Sequence, residues 1–82
     1  MPNSVLTEAA EILRGARQGD YGCPERNHKR IAALWSTYLD TDITPRQVCG
    51  MMVLLKLSRD ANSPKRDNAV DIAGYAQLME EV

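Results

Sequence analysis

Two short motifs, Thr44-Pro45 and Ser63-Pro64, bracket the most apolar stretch of this chain of 82 residues. A hydroxyl side chain followed by proline is a helix start signal, because the oxygen accepts a free backbone N–H and proline at the first helical position gives up no helical hydrogen bond. The first motif predicts a helix from Pro45 to about Ala61, and the second predicts the start of another helix. Apolar residues surround the first of these helices on nearly all sides, so we expect it to be central.

Two more helices are predicted upstream from apolar residues at helical spacing. The first runs from about Val5 to Ala16 with Ser4 as its N-cap, and the second begins at Pro24 and ends near Asp40. No stretch alternates between apolar and polar residues, as a strand does, for more than a few positions. The sequence therefore predicts an all-α protein with a single domain over residues 1–82, folded as a compact four-helix bundle with an apolar central third helix.

The composition restricts the class of protein. Hydrophobic residues make up 44% of the chain and charged residues 26%, which excludes a disordered polar chain. Only Trp35 and three tyrosines are aromatic, so the core is small and assembly into a homo-oligomer would supplement it. The net charge of −1 argues against nucleic acid as a partner.

Targeting and membrane signals are not found in this sequence. The apolar stretch over residues 48–55 is far too short to cross a bilayer, so no membrane partner is expected. The first three residues lack the basic and apolar regions of a signal peptide. Cys23 and Cys49 do not have metal-ligand spacing and are expected to be reduced thiols. A cytoplasmic protein is the simplest interpretation.

Charged side chains interrupt the apolar pattern of the third helix. Lys56 and Arg59 lie in its most hydrophobic part, where an unpaired cation is costly to bury. Asp67 or Asp71 on the next helix is the expected partner, and Lys65 adds positive charge at the junction of the two helices. An internal ion pair and a phosphate site built from Lys and Arg side chains both fit this pattern.

Two pairs of acidic residues suggest a metal site. Asp67 and Asp71 are four residues apart, so their carboxylates share one face of the last helix. Glu8 and Glu11 form a second pair, at a spacing of three, on the first helix. Together they could hold Mg²⁺ as a metal-dependent phosphohydrolase does. Solvated carboxylates, with Asp67 favoured by the dipole of its helix, explain the same pattern without a metal.

Aromatic residues and one histidine offer further candidates. Tyr21 and Trp35 could stack on a base, although each is also a normal aromatic of a small core. His28, in the first turn of the second helix, is expected to be a hydrogen-bonded packing residue rather than a general base. Cys23 has no evident catalytic partner, so nucleophilic catalysis is not expected.

Three segments together cover about half of the chain: YGCPERNHKRIAALWSTYL from Tyr21 to Leu39, MMVLLKLSR from Met51 to Arg59, and KRDNAVDIAGYA from Lys65 to Ala76. Their pattern resembles a family of small phage and prophage proteins of undefined function. The resemblance implies a phage-type accessory protein in the cytoplasm of the host cell. The positions matched to the family pattern are Tyr21, Gly22, Asn27, Trp35, Lys56, Arg59, Lys65, Asp67, Asp71 and Tyr75.

The segment Glu8-Ala9-Ala10-Glu11 has a more distant resemblance, to the MazG-like all-α nucleoside triphosphate pyrophosphohydrolases. That family binds magnesium through an E-x-x-E pair on one helix and an E-x-x-D pair on a later helix. Asp67 and Asp71 depart from the second pair because their spacing is four. The resemblance implies that metal-activated water releases pyrophosphate from a nucleoside triphosphate, and it leaves open whether this chain is an enzyme.

Two functions from different classes remain. In the first, the protein binds a nucleotide or another phosphate-bearing ligand: Lys56, Arg59 and Lys65 neutralise phosphate, while Asp67 and Asp71 hold magnesium or orient the cations. In the second, it is a non-enzymatic adaptor that binds and inhibits a host defence protein, of the anti-CRISPR or anti-signalling type. Side chains that are buried and paired with one another favour the adaptor, and a cavity open to solvent favours the ligand site.

Overall fold

The protein, described here by a computed structural model over residues 4–15 and 23–82, contains four α-helices in those ranges. They are α1 (Val5–Arg14), α2 (Pro24–Leu39), α3 (Pro45–Asn62) and α4 (Arg66–Glu81). The same ranges contain no β-strand. The predicted all-α four-helix bundle is therefore confirmed. None of the described helices is both long and apolar enough to cross a membrane.

The starts of the first three helices follow the local signals in the sequence. Ser4 caps α1, and its hydroxyl oxygen accepts the backbone N–H of Thr7 at 3.0 Å. Thr44 caps α3 in the same way by accepting from the backbone N–H of Gln47, and the Gln47 side chain accepts the backbone N–H of Thr44 in return. This reciprocal capping box satisfies two backbone donors that the first turn of a helix leaves unpaired. Pro24 occupies the first position of α2, as predicted.

The start of α4 differs from the prediction. Ser63 and Pro64 do not begin this helix: α4 starts at Arg66, and Ser63 instead ends α3 by donating its backbone N–H to the carbonyl oxygen of Arg59. The reason is a competing acceptor, because the Asp60 carboxylate accepts the backbone N–H of Lys65 at 3.1 Å. The short connection is thus fixed by a side chain from the preceding helix.

The helices pack unequally around a small core. α4 packs against α3, α1 and, less extensively, α2, while α3 also packs against α2. Val48 and Cys49 of α3 are completely buried, as expected of a central helix. The structure nevertheless departs from the expected burial of α3 on nearly all sides, because α1 packs on α4 and leaves the far side of α3 uncovered. The core residues are Ala9, Ala32, Val48, Cys49, Val70 and Leu78.

Candidate ligand site

Lys56 and Asp71 form an ion pair between α3 and α4. The Lys56 Nζ lies 2.9 Å from the Asp71 Oδ2, and the two side chains are only 15% and 13% exposed. A cation in the apolar α3 requires such a partner, because burying an unpaired charge is costly. The predicted need for an acidic partner on the next helix is confirmed, with Asp71 rather than Asp67 in that position.

Beside this ion pair lies a cavity of about 540 Å³, called here the basic cavity. Arg59, Lys65 and Asp67 are exposed at its wall. Three cations and two carboxylates line it, so it carries a formal charge of +1. Arg59 and Lys65 make no ion pair with any side chain in residues 4–15 and 23–82. The lining residues are Lys56, Ser58, Arg59, Asn62, Ser63, Lys65, Asp67, Asn68 and Asp71.

A hydrogen-bond network fixes the corner between α3 and α4 at this cavity. Asn68 is only 7% exposed, and its side-chain N–H donates to the Asp60 Oδ1 at 3.1 Å. The same oxygen accepts the backbone N–H of Lys65. Lys65 is also the N-cap of α4, and its side chain makes no capping hydrogen bond. Asp60 and Asn68 were not among the residues predicted from the sequence, since their contact depends on how the chain turns between the two helices.

A second cavity, of about 330 Å³, lies on the other side of Asp71 and is called here the apolar cavity. Asp71 lines both cavities. Volumes of roughly 300–1,000 Å³, mostly apolar walls and a few polar groups are typical of small-molecule sites. The apolar cavity has such walls, formed by Ala9, Ile12, Leu13, Pro24, Asn27, His28, Val70, Asp71, Gly74, Tyr75 and Leu78.

His28 forms part of the wall of the apolar cavity. It is 6% exposed, and its Nδ1 lies 2.9 Å from the carbonyl oxygen of Pro24, one turn earlier in α2. Since a carbonyl oxygen only accepts, Nδ1 donates, and in the neutral ring Nε2 then carries the lone pair. Nε2 has no hydrogen-bond partner among the described residues, and the ring lies 5.9 Å from that of Tyr75. The predicted role as a hydrogen-bonded packing residue is confirmed.

The four predicted metal-binding carboxylates are not gathered at one point. Glu8 pairs with Arg66, at the start of α4, and Asp71 pairs with Lys56. Glu11 and Asp67 are exposed. The described part of the chain contains no group of three or more His, Cys, Asp or Glu side chains placed to hold a metal ion. The described residues therefore supply at most a partial set of ligands for magnesium at either cavity.

Residues 4–82 match the model of a protein family described as a domain of unknown function, DUF6378. The chain belongs to the DUF6378 family. It is 47% identical over 81 residues to the Gene 55 protein of Mycobacterium phage L5, covering 96% of this chain and 52% of that protein. It is 39% identical over 83 residues to the Gene 55 protein of Mycobacterium phage D29, covering 100% of this chain and 55% of that protein. No solved structure matches the chain.

The two phage relatives confirm the predicted resemblance to phage proteins of undefined function. The DUF6378 chain spans about half the length of the curated relatives it matches. Neither the family description nor the names of the relatives states an activity. The more distant resemblance to the MazG-like pyrophosphohydrolases therefore stays a prediction.

Of the two aromatic residues predicted to stack on a base, the structure describes only Trp35. Tyr21 lies outside the described residues. Trp35 is half-buried in α2 and lines neither the apolar cavity nor the basic cavity. Among the described residues, Tyr75 is an aromatic residue that lines the apolar cavity. Its spacing of four residues from Asp71 on α4 was the available signal in the sequence.

The two cysteines of the DUF6378 chain lie in different environments. Both are free, with Cys23 exposed and Cys49 buried. Burial raises the pKa of the Cys49 thiol, while a backbone hydrogen bond and the charge of Arg46 lower it in part. A buried thiol with a raised pKa remains protonated at neutral pH and is a poor nucleophile.

Proposed function

We propose that this protein binds a nucleotide or another small ligand that carries both phosphate and a flat, largely apolar group. The observation that carries the proposal is the pair of cavities that meet at Asp71, one basic and one apolar. A nucleotide has the same division, with charged phosphates at one end and an aromatic base at the other. The ion pair between Lys56 and Asp71 lies at the boundary between the basic cavity and the apolar cavity.

The phosphates are assigned to the basic cavity. Arg59 and Lys65 supply exposed cations, and charge-assisted hydrogen bonds from Arg and Lys to phosphate are among the stronger polar contacts in proteins. The N-terminal residues Lys65, Asp67 and Asn68 of α4 also line this cavity. The backbone N–H groups of a helix N-terminus and the positive end of its dipole favour an anion at this end.

The flat group is assigned to the apolar cavity. The rings of His28 and Tyr75 and the aliphatic side chains around them provide surfaces against which a base packs. Asn27, at the same wall, offers amide donors and an acceptor that would orient the edge of a base. The cavity volume of about 330 Å³ is at the lower end for a small-molecule site, which suits one ring system rather than a whole nucleotide.

Magnesium is proposed to enter with the ligand rather than to be held by a protein cage. Mg²⁺ is commonly bound by one or two carboxylates together with substrate phosphates. We assign this role to Asp67, because its exposed carboxylate lies beside the basic cations. If the protein is an enzyme, the resemblance to the MazG-like group indicates release of pyrophosphate from a nucleoside triphosphate.

Phosphorus NMR of ribonucleoside and deoxyribonucleoside triphosphates, with protein and Mg²⁺ present, tests this proposal directly. We expect the triphosphate signals to shift or broaden. New signals of pyrophosphate and monophosphate would in addition establish catalysis. Spectra that are unchanged across the whole panel would contradict nucleotide binding.

A pair of charge-matched variants tests the location of the phosphate site. Arg59→Gln/Lys65→Gln is expected to weaken nucleotide binding about tenfold or more, since each hydrogen bond to a charged group contributes about 1.5–3 kcal/mol. Lys29→Gln/Arg30→Gln removes the same charge from exposed positions of α2 and is expected to leave the affinity unchanged. Titration calorimetry measures both. An equal loss in the two variants would show that only the net charge matters and would remove the site from the basic cavity.

A second candidate function, the adaptor that binds a host defence protein, is favoured by a different observation. Leu34 and Tyr38 lie one turn apart on α2 and are 63% and 89% exposed. Tyrosine is one of the residues in which the energetic centres of protein interfaces are enriched. The charged residues do not favour one function over the other. Lys56 and Asp71 are paired and largely buried, as the adaptor requires. Arg59 and Asp67 are exposed at a cavity, as the ligand site requires.

The adaptor function is tested in bacteria that carry a CRISPR or nucleotide-signalling defence. Expression of this protein is expected to raise the plating efficiency of a sensitive phage at least about tenfold, because blocking a defence protein lets infection proceed. Tyr38→Ser is expected to abolish the increase, since removing a central aromatic residue costs about 2 kcal/mol or more of binding. Leu6→Ser, at an exposed residue of α1, serves as the control. Plating that is the same with and without the protein would contradict this candidate.

A further inference from the structure

The side of α3 that faces away from the core is largely apolar and carries no charge. Helical periodicity places its residues opposite the buried Val48 and Cys49. Leu54 is 66% exposed, and Leu57 and Met51 are 51% and 38% exposed. We call this surface the α3 outer face; its exposed members are Gln47, Met51, Leu54, Leu57, Ser58 and Ala61.

The described chain exposes more large apolar side chains than it buries. Of the six residues in its hydrophobic core, two are alanine and only Leu78 is a large aliphatic residue, whereas eight large hydrophobic residues are exposed. A small domain with so little buried apolar surface gains stability from an additional partner. Contiguous exposed apolar surface of this kind marks an interaction site in soluble proteins. Three of the eight exposed large hydrophobic residues, Met51, Leu54 and Leu57, lie on the α3 outer face.

We propose that a second copy of this chain covers the α3 outer face. Two antiparallel α3 helices related by a twofold axis at Leu54 bring residues equally distant from Leu54 to the same level. Leu54 then meets Leu54 of the other copy, and Met51 meets Leu57. Gln47 meets Ala61, so that a longer side chain lies opposite a small one. The side chains of the α3 outer face are therefore complementary in size when two copies are related by a twofold axis at Leu54.

The charge pattern also fits an identical partner. In a twofold contact, the same surface of each copy faces the other copy. A charge near the axis of such a contact would therefore face a like charge. The exposed members of the α3 outer face carry none. At the edge of this contact, Arg46 of one copy lies level with the neutral Asn62 of the other, the last residue of α3, while its guanidinium donates to the Met79 carbonyl oxygen of its own α4 at 3.2 Å. Arg46 therefore faces no like charge there.

Molar mass measured by light scattering over a range of concentrations tests the dimer, with the chain of 82 residues as it stands. We expect a dimer whose dissociation constant rises at least about a hundredfold in Leu54→Glu, because two carboxylates then meet at the axis and like charges in an interface cost several kcal/mol. Leu6→Glu places the same charge on an exposed leucine of α1 and is expected to remain dimeric. Circular dichroism checks that both variants fold.

Cross-linking supplies an independent readout. In a Cys23→Ser background, Leu54→Cys is expected to form a disulfide-linked dimer under mild oxidation, because two residues at a twofold axis come within disulfide distance. Leu6→Cys in the same background is the matched control and is expected to stay monomeric on a non-reducing gel. A wild-type chain that is monomeric at all concentrations would overturn the proposal and favour another segment of a longer protein on this face. A dimer unaffected by Leu54→Glu, or equal cross-linking in both cysteine variants, would also overturn it.

Discussion

Replacing Lys56 by Met is expected to lower the free energy of unfolding by about 3 kcal/mol, because the change leaves the largely buried Asp71 carboxylate without its ammonium partner. Urea denaturation followed by circular dichroism measures the loss. The change keeps the length and apolar stem of the side chain, so it tests the charge more than the packing. Met in place of the exposed Lys29 of α2 is the control and is expected to change stability by less than about 0.5 kcal/mol.

The double variant Lys56→Met/Asp71→Leu separates the ion pair from its surroundings. A buried pair replaced by apolar residues of similar size is often neutral for stability, since neither charge is then left in the interior. We therefore expect the double variant to recover at least half of the loss caused by Lys56→Met. Losses that simply add in the double variant would show that the two side chains act independently. Nucleotide affinity measured in the same variants would show whether the pair also positions the ligand.

Replacing Leu78 by Ala is expected to cost about 3 kcal/mol of stability, within the range for a buried leucine truncated to alanine. Leu78 is 4% exposed and lies in the wall shared by the apolar cavity and a neighbouring cavity of about 320 Å³ on the α1 side. Removing the Leu78 side chain is expected to join these two cavities. The neighbouring side chains then cannot move in to fill the space, so the full cost of the new cavity remains. Thermal and urea denaturation measure the effect.

The matched control for Leu78→Ala is Leu6→Ala on α1. Leu6 is 74% exposed, so the same chemical change is expected to cost less than about 0.5 kcal/mol. Equal losses at the two positions would contradict the assignment of Leu78 to the core. Because Leu78 also lines the apolar cavity, the Ala variant should bind a nucleotide more weakly, whereas Arg59→Gln/Lys65→Gln should affect binding with little effect on stability.

Phosphorus NMR and the molar mass measurement report on neighbouring surfaces, since Ser58 belongs to the α3 outer face and also lines the basic cavity. The basic and apolar cavities include Lys56, Arg59 and Asp71, whereas the proposed twofold axis passes through Leu54 on the opposite side of α3. Loss of dimerisation without loss of nucleotide binding would show that each protomer carries a complete site. A loss of both in Leu54→Glu would indicate that the dimer stabilises the site.

The candidate site was accessible to sequence reasoning only in part. Lys56 needed an acidic partner because it interrupts an apolar helix, and this requirement holds whatever the detailed fold. The sequence did not predict which of Asp67 and Asp71 pairs with Lys56, since both lie on the same face of α4. Only the packing of α4 on α3 selects Asp71. Among the described residues the predicted grouping of Glu8 and Glu11 with the aspartates is not formed, and Glu8 pairs with Arg66 in the α1–α4 contact.

The sequence by itself determined the helices and where most of them begin. The caps at Ser4 and Thr44 are hydrogen bonds between residues three positions apart, so they need no tertiary structure. Only the tertiary structure decided the start of α4, where Asp60 from another helix takes the backbone N–H of Lys65. It also decided that the far side of α3 is left uncovered, since burial of a helix depends on how many neighbours pack around it rather than on its own apolar pattern.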